Sequence, residues 1–210
     1  MELCKGLLIL FQSMRKIDGI SFPVFMLGID EKLEKYDENS LYISLGAFGS
    51  GEHETTKSCL NKLEHIDIRN KNVLDIGCGT GILGIMAEKM GARHVVGFDI
   101  SFDACKTSSY NLRLNRCCVN NVICGDYESI SGKFDLVVAN IYFDIIISLY
   151  DFIKRITVDG SYVVLSGIPV ENNFDIRQKY CGKKDFVLIR NEIMEDFSTV
   201  VLKRAISSGG

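Results

Sequence analysis

The sequence has little net charge, no paired metal-binding cysteines, few histidines and no long apolar run. Each absence removes a class of function. Lys and Arg number 24 against 27 Asp and Glu, for a net charge of -3. No global basic field therefore draws the chain to nucleic acid, and direct nucleic-acid binding is not expected. Eight cysteines (4, 59, 78, 105, 117, 118, 124 and 181) contain no CxxC pair, and only three histidines are scattered among them. Metal-ligand spacing is missing, so no metal is expected. Adjacent Cys117 and Cys118 allow a vicinal disulfide, although free thiols in a reducing cytosol are the expectation. The longest early apolar run, Leu7 to Phe11, is too short for a signal segment or a membrane span. No internal repeat is visible. These absences point to a soluble cytoplasmic protein.

What is present is 210 residues with 47% hydrophobic content, enough for one domain with a sizeable core. Residues 1–40 combine an apolar start (Leu3, Leu7, Leu8, Ile9, Phe11), a turn region near 19–23 and a charged stretch from Asp30 to Asn39. They are too few for an independent domain and are read as a lead-in helix or strand with a solvated loop. The apolar start suits either a cover over a site mouth or a subunit contact, so oligomeric state stays open. Residues 41–204 read as the main domain and 205–210 as a flexible tail. GAFGSGEHETTKSCL (46–60) opens a helix with Cys59, Leu60 and Leu63 as its apolar stripe.

From residue 72 the pattern alternates. Strands are expected at 72–76, 93–98, 121–124, 134–140, 161–166, 185–193 and 197–203. Helices are expected at 82–90, 101–115, 143–156 and 170–180. The nearly continuous apolar run at 134–140 fits a central parallel strand buried on both faces. Only Met194-Glu195-Asp196 joins the last two strands, which forces an antiparallel hairpin. The fold class is α/β: a doubly wound, Rossmann-like sheet with one reversed strand.

The most informative stretch is NVLDIGCGTGILG, Asn72 to Gly84. A strand, then Gly77, Gly79 and Gly81, then a helix, lets backbone approach a ligand and aims helix N–H groups at it. Residues 79–84 also satisfy GxGxxG, a dinucleotide fingerprint, but that match alone is weak. Asp75 argues for another ligand, because a carboxylate is unwelcome beside a pyrophosphate. Asp-x-Gly-x-Gly-x-Gly suits a cationic, phosphate-free nucleoside such as S-adenosylmethionine (SAM). Asp99 ends the second of these strands, where a carboxylate accepts from ribose hydroxyls; its plainer reading is a helix N-cap. Asp126 follows the third, within reach of an adenine amine, or is simply part of a Gly-Asp turn. Asn140 ends the fourth, where its carbonyl and the neighbouring backbone C=O can hold an amine; alternatively it closes a turn. In GAFGSGEHETT, Gly46, Gly49 and Gly51 allow tight folding over a ligand. His53, Glu54, Thr55 and Thr56 start the next helix, either in that lid or as ordinary caps.

Together AFGSGEHETT, VLDIGCGTGILGIMAEKMGA, VVGFDIS, FDLVVANI and LSGI, in that order, resemble the ribosomal protein L-eleven methyltransferase family (PrmA type), class I SAM-dependent enzymes. The resemblance spans about residues 43–204 and implies a seven-stranded sheet whose last strand is antiparallel. It implies Thr56, Gly77, Asp99 and Asn140 as cofactor contacts, with His53 and Glu54 in a lid over the methionine end. Family members carry an N-terminal domain that recognises the ribosomal protein; the expectation for residues 1–40 is no full domain of that kind. Tyr142-Phe143 brings aromatics where the family is typically small. Phe143 either packs against a planar or cationic acceptor or is the first core residue of its helix.

The implied activity is methyl transfer from SAM to an amine, a protein lysine or N-terminal amine, with the ribosomal protein as protein substrate. The expected catalytic residues are Asn140, Ile141 and Phe143. The expected cofactor-binding residues are His53, Thr56, Asp75, Gly77, Gly79, Gly81, Asp99, Ile100, Asp126 and Asn140. Three other readings compete: a methyltransferase for another protein, a small amine or a nucleobase; an NAD-dependent oxidoreductase; and a silent SAM-fold binding module.

Overall fold

A computed structural model of the chain describes residues 14–15, 20–27, 36–44 and 53–206. The apolar positions Leu3 to Phe11, the glycines Gly46, Gly49 and Gly51, residues 30–35 of the charged stretch and residues 207–210 of the tail lie outside the described residues. Three strands come first: β1 (Met14–Arg15), β2 (Val24–Leu27) and β3 (Leu41–Ser44). Then follow α1 (Glu54–Glu64), β4 (Asn72–Ile76), α2 (Ile82–Lys89), β5 (His94–Asp99), α3 (Phe102–Leu114) and β6 (Asn120–Cys124). The chain continues through β7 (Phe134–Asn140), α4 (Phe143–Ser148), α5 (Tyr150–Ile156) and β8 (Thr157–Pro169). It ends with α6 (Asn173–Cys181), β9 (Phe186–Ile193) and β10 (Phe197–Arg204).

Among the described residues the main sheet has seven strands in the order β6-β5-β4-β7-β8-β10-β9. β4 to β8 pair in parallel, and β10 runs antiparallel to both β8 and β9. The expected reversed strand is therefore the last one, inserted between β8 and β9. Chain order leaves β4 outward through β5 to β6, then jumps back so that β7 pairs on β4's other side. That reversal opens a crevice at the carboxyl ends of β4 and β7.

Alternation along the central strands divides the core. Leu136 and Val138 of β7 join the cluster that holds Cys59, Leu60 and Leu63 of α1 and Ile85 and Met86 of α2. Val137 and Ala139 join the opposite cluster, with Ile146 of α4, Ile153 of α5 and Ile176 of α6. Successive strand side chains point to opposite faces, so a nearly continuous apolar strand feeds two layers of helices.

The lead-in contributes strands. β2 pairs antiparallel with β1 and parallel with β3. Ile20, Val24, Met26, Leu41 and Ile43 enter the same cluster as α1 and α2. Three expectations need revision at element level. The helix expected at 143–156 is two helices, divided at Leu149. There the Ile145 carbonyl accepts both from the Ser148 hydroxyl at 2.7 Å and from Leu149 N–H at 3.0 Å. The helix expected at 170–180 begins with a 3-10 turn, Val170–Asn172, before α6. β8 is longer than 161–166, because pairing to β7 and β10 carries it past Gly160 and out to Pro169. The seven described cysteines are free thiols, Cys117 and Cys118 included.

Asp185 fastens the far end of the sheet. Its carboxylate accepts from the Tyr150 hydroxyl, from Lys154 Nζ at 2.9 Å and from Arg204 Nη1 at 3.2 Å. The Tyr150 hydrogen bond, followed by that from Lys154, holds its pKa down at about 2. A carboxylate depressed in the folded state stabilises the fold above its unfolded value and loses that contribution as pH falls. Chemical unfolding of wild type should therefore show stability falling from about pH 4 toward pH 2. Asp185→Asn should be less stable at neutral pH and show a shallower decline through that window.

Candidate functional site

The glycine loop leaves β4 at the crevice. Gly77, Gly79 and Gly81 have φ of +65°, +53° and +80°, a region that side-chain-bearing residues occupy only with strain. Space forbids side chains too: a Cβ on Gly77 would overlap Ile141 Cγ2, and one on Gly81 would overlap Ser108 Oγ. The loop is tied to the end of the neighbouring β5 by Gly79 N–H, which donates to Asp99 Oδ2 at 3.1 Å. Asp99 Oδ1 accepts from Ser101 N–H at 2.9 Å. Each carboxylate oxygen thus takes one N–H and keeps acceptor capacity for a ligand hydroxyl. The cap of α3 is Ser101, which accepts from Ala104 N–H at 3.3 Å. Asp99 is therefore not the N-cap of that helix.

Neighbouring turns complete this side. Gly125 N–H donates to the Asp99 carbonyl at 2.9 Å, bringing the turn after β6 alongside. Asp126 is exposed there and caps the short turn Tyr127–Ser129 through Glu128 N–H at 2.9 Å. Ile100 is 77% exposed beside Asp99. Asp75 sits differently. It is buried beneath the loop, and Oδ2 accepts from Gly84 N–H on α2 at 3.1 Å. Burial pushes its pKa up to about 7.

The other wall comes from distant segments. Asn140 Nδ2 donates to Thr56 Oγ1 at 3.1 Å, joining the end of β7 to the first turn of α1. His53 caps α1: Nδ1 accepts from Thr55 N–H at 3.4 Å, lies 2.8 Å from Thr55 Oγ1, and its ring stands edge-on to Phe197. Further along α1, buried Lys62 meets Glu192 of β9 at 2.6 Å, and Ser58 donates to the same carboxylate. The Ser166 hydroxyl of β8 reaches the Thr55 carbonyl and Thr199. Helix α1 is thus pinned to the sheet that carries Asn140.

Ile141 N–H donates to the Ser166 carbonyl at 3.3 Å. Gly167, at φ +81°, lies so close that a Cβ there would sit 2.5 Å from the Ile141 carbonyl oxygen. Gly167 was not among the expected site residues, although LSGI contains it; its signal is a glycine ending an apolar strand. Phe143 is half-buried and packs on the second core cluster. Tyr142 is the outward aromatic, 75% exposed. Burial raises the thiols of Cys59, to about 12, and Cys78, so neither offers a thiolate at neutral pH. Among the described residues no group of three or more His, Cys, Asp or Glu could hold a metal. No helix among them is long and apolar enough to cross a membrane.

A seven-stranded sheet with its final strand reversed, glycines at its switch point and an acidic residue ending the next strand define the class I, Rossmann-like methyltransferase fold. A family model described as ribosomal protein L11 methyltransferase (PrmA) matches residues 24–205, and the chain belongs to that family. A relative of that name from Helicobacter acinonychis is 42% identical over 125 residues, covering 58% of this chain and 37% of the relative. One from Thermotoga neapolitana is 34% identical over 176 residues, covering 83% and 66%. The chain thus spans between 37% and 66% of the length of these two curated relatives. A solved ribosomal protein L11 methylase from Lactobacillus delbrueckii subsp. bulgaricus superposes with a TM-score of 0.76 at 26% identity, covering 87% of this chain and 95% of that one.

Two outcomes follow from this geometry. Gly167→Ala combines a left-handed φ with an overlap on Ile141, so it should lower stability by roughly 1–3 kcal/mol, read as a drop in melting temperature. Asp75 has the opposite sign from Asp185. Its raised pKa means stability that is fully present below the ordinary value of 3.8 and lost as pH rises through about 7. Asp75→Asn retains a carbonyl for Gly84 and should flatten that decline in unfolding titrations.

Proposed function

We propose that the chain is a SAM-dependent N-methyltransferase whose acceptor is an amine of a ribosomal protein; its relatives are named as ribosomal protein L11 methyltransferases. The observation that carries this reading is the Asn140–Thr56 hydrogen bond. It joins VVANI to the end of AFGSGEHETT at the mouth of the glycine loop. The residues fit SAM. The left-handed turns at Gly77, Gly79 and Gly81 shape the loop against which the methionine part lies. Asp99 has lone pairs left for the ribose hydroxyls, and Ile100 and Asp126 flank the adenine end. Bound there, SAM supplies an electrophilic methyl group on a sulfonium, open to in-line attack by a neutral amine.

The chain's own contribution is positioning and exclusion of water. Thr56 holds the Nδ2 end of the Asn140 amide, so the Oδ1 end is presented as an acceptor for an amine N–H. The Ile141 carbonyl is the second acceptor, and Gly167, lacking a Cβ, keeps that oxygen uncovered. Two acceptors on one nitrogen orient its lone pair. A lysine amine titrates near ~10.4 in water, so the nitrogen gives its proton to solvent before it attacks. A ribosomal acceptor implies a cytoplasmic enzyme. Tyr142 favours a second reading: an exposed aromatic beside Ile141 suits a cationic or planar acceptor on another protein, a small amine or a nucleobase.

The test is transfer of labelled methyl from SAM to the isolated ribosomal protein L11, to intact ribosomes and to a ribosome-depleted lysate. Label on the ribosomal protein is expected, with a rate that rises with pH; label only on another species would move the acceptor to the second reading. Asn140→Ala should lower turnover about a hundredfold or more while SAM still binds. Undiminished turnover in that variant would remove Asn140 from the mechanism.

A further inference from the structure

Helix α3 carries buried Asn111 and is capped one turn later by buried Asn115. Between them they treat β3 as a neighbouring strand would. Asn115 Oδ1 accepts from Tyr42 N–H at 2.9 Å, and its Nδ2 donates to the Tyr42 carbonyl at 2.6 Å. Asn111 Oδ1 accepts from Ser44 N–H at 2.9 Å. Residues 42 and 44 present their backbone groups to the same side of a strand, while β2 pairs on the other edge. A polar edge that would otherwise be buried unpaired is thereby satisfied.

Asn111 does more than Asn115. Its Nδ2 donates at 2.9 Å to the carbonyl of Thr80, the residue between Gly79 and Gly81. The N–H of the same peptide unit, on Gly81, donates to the Cys78 carbonyl at 2.7 Å. The Thr80–Gly81 peptide plane is thus held from both sides, once within the loop and once by Asn111. A single buried amide joins the end of β3 to the glycine loop. Ser44 lies three positions before Ala47, where AFGSGEHETT begins.

We propose that Asn111 is a positioning residue for cofactor binding, fixing the glycine loop in its receiving conformation and coupling it to β3. This rests on the reading that the loop binds SAM. A loop built on left-handed glycines has many alternative conformations, and a bond from a rigid helix removes them before the ligand arrives. Coupling between two sites is reciprocal, so SAM on the loop tightens the anchoring of Ser44.

Substitutions at the two asparagines separate loop positioning from strand anchoring. Asn111→Asp keeps an acceptor for Ser44 but loses the donor to Thr80; Asn111→Leu loses both bonds. Asn115→Leu loosens β3 and leaves the loop bond in place. Equilibrium binding of SAM should weaken about tenfold in both Asn111 variants, the worth of one buried hydrogen bond. Asn115→Leu should lower the melting temperature with its SAM affinity within about twofold of wild type. Unchanged affinity in Asn111→Asp, or equal weakening in Asn115→Leu, overturns the inference. If the variants do not fold, hydrogen exchange on wild type decides. Saturating SAM should slow exchange at Ser44 as well as in the loop, and an unaltered Ser44 amide overturns the coupling. Wild type that binds no SAM overturns the function reading itself, a result distinct from normal wild-type binding with unaffected Asn111 variants.

Discussion

A loop with three left-handed glycines has only two side chains, buried Cys78 and Thr80, with which to hold itself. That constraint organises the structure around residues 77–81. Much of the grip comes from outside. Asp99 takes the Gly79 amide, Asn111 takes the Thr80 carbonyl, Ser108 fills the space against Gly81, and Ile141 covers Gly77. Asp75 fixes the helix that follows from below, through Gly84. These contacts come from β4, β5, α3 and the end of β7, so the loop's shape is a property of the whole sheet. The switch in strand order is what makes this possible, because it brings the carboxyl ends of β4 and β7 to either side of one crevice.

Two perturbed carboxylates, Asp185 and Asp75, mark two regimes within the same fold. Asp185 is surrounded by donors from α5 (Tyr150 and Lys154) and β10 (Arg204), and its charge is an asset. Asp75 is buried with one amide for company, and its charge is a liability. The first closes the rim of the sheet. The second lies under the candidate site, where a polar group is tolerated because it ties strand to helix. Opposite dependences on pH follow from opposite surroundings, not from residue type.

Much of the architecture was legible in the residues because periodicity is a local property. The apolar run of β7, the strand–glycines–helix order at 72–84 and the three-residue link before β10 each specify their element without help from elsewhere. The places where reading failed are those where a competing contact decides. β8 lengthens because partners exist on both sides, while the helix expected at 143–156 divides at Leu149. Pattern alone left open whether Phe143 packs against an acceptor or begins the core face of its helix. Packing turns Phe143 inward and leaves Tyr142 outside.

The site divides along the same line. Sequence by itself determined the glycine loop, the acidic residue ending β5 and the asparagine ending β7, since a backbone that needs φ above zero or a strand end that needs a polar group is written in single positions. It also identified the family, through the order of its motifs. Only the tertiary structure decided that Asn140 meets Thr56, that Gly167 lies against Ile141, and that Asn111 joins β3 to the loop. Those contacts link residues far apart in the chain, and no local periodicity encodes them. They come into being only when the sheet closes and brings its strand ends into one crevice.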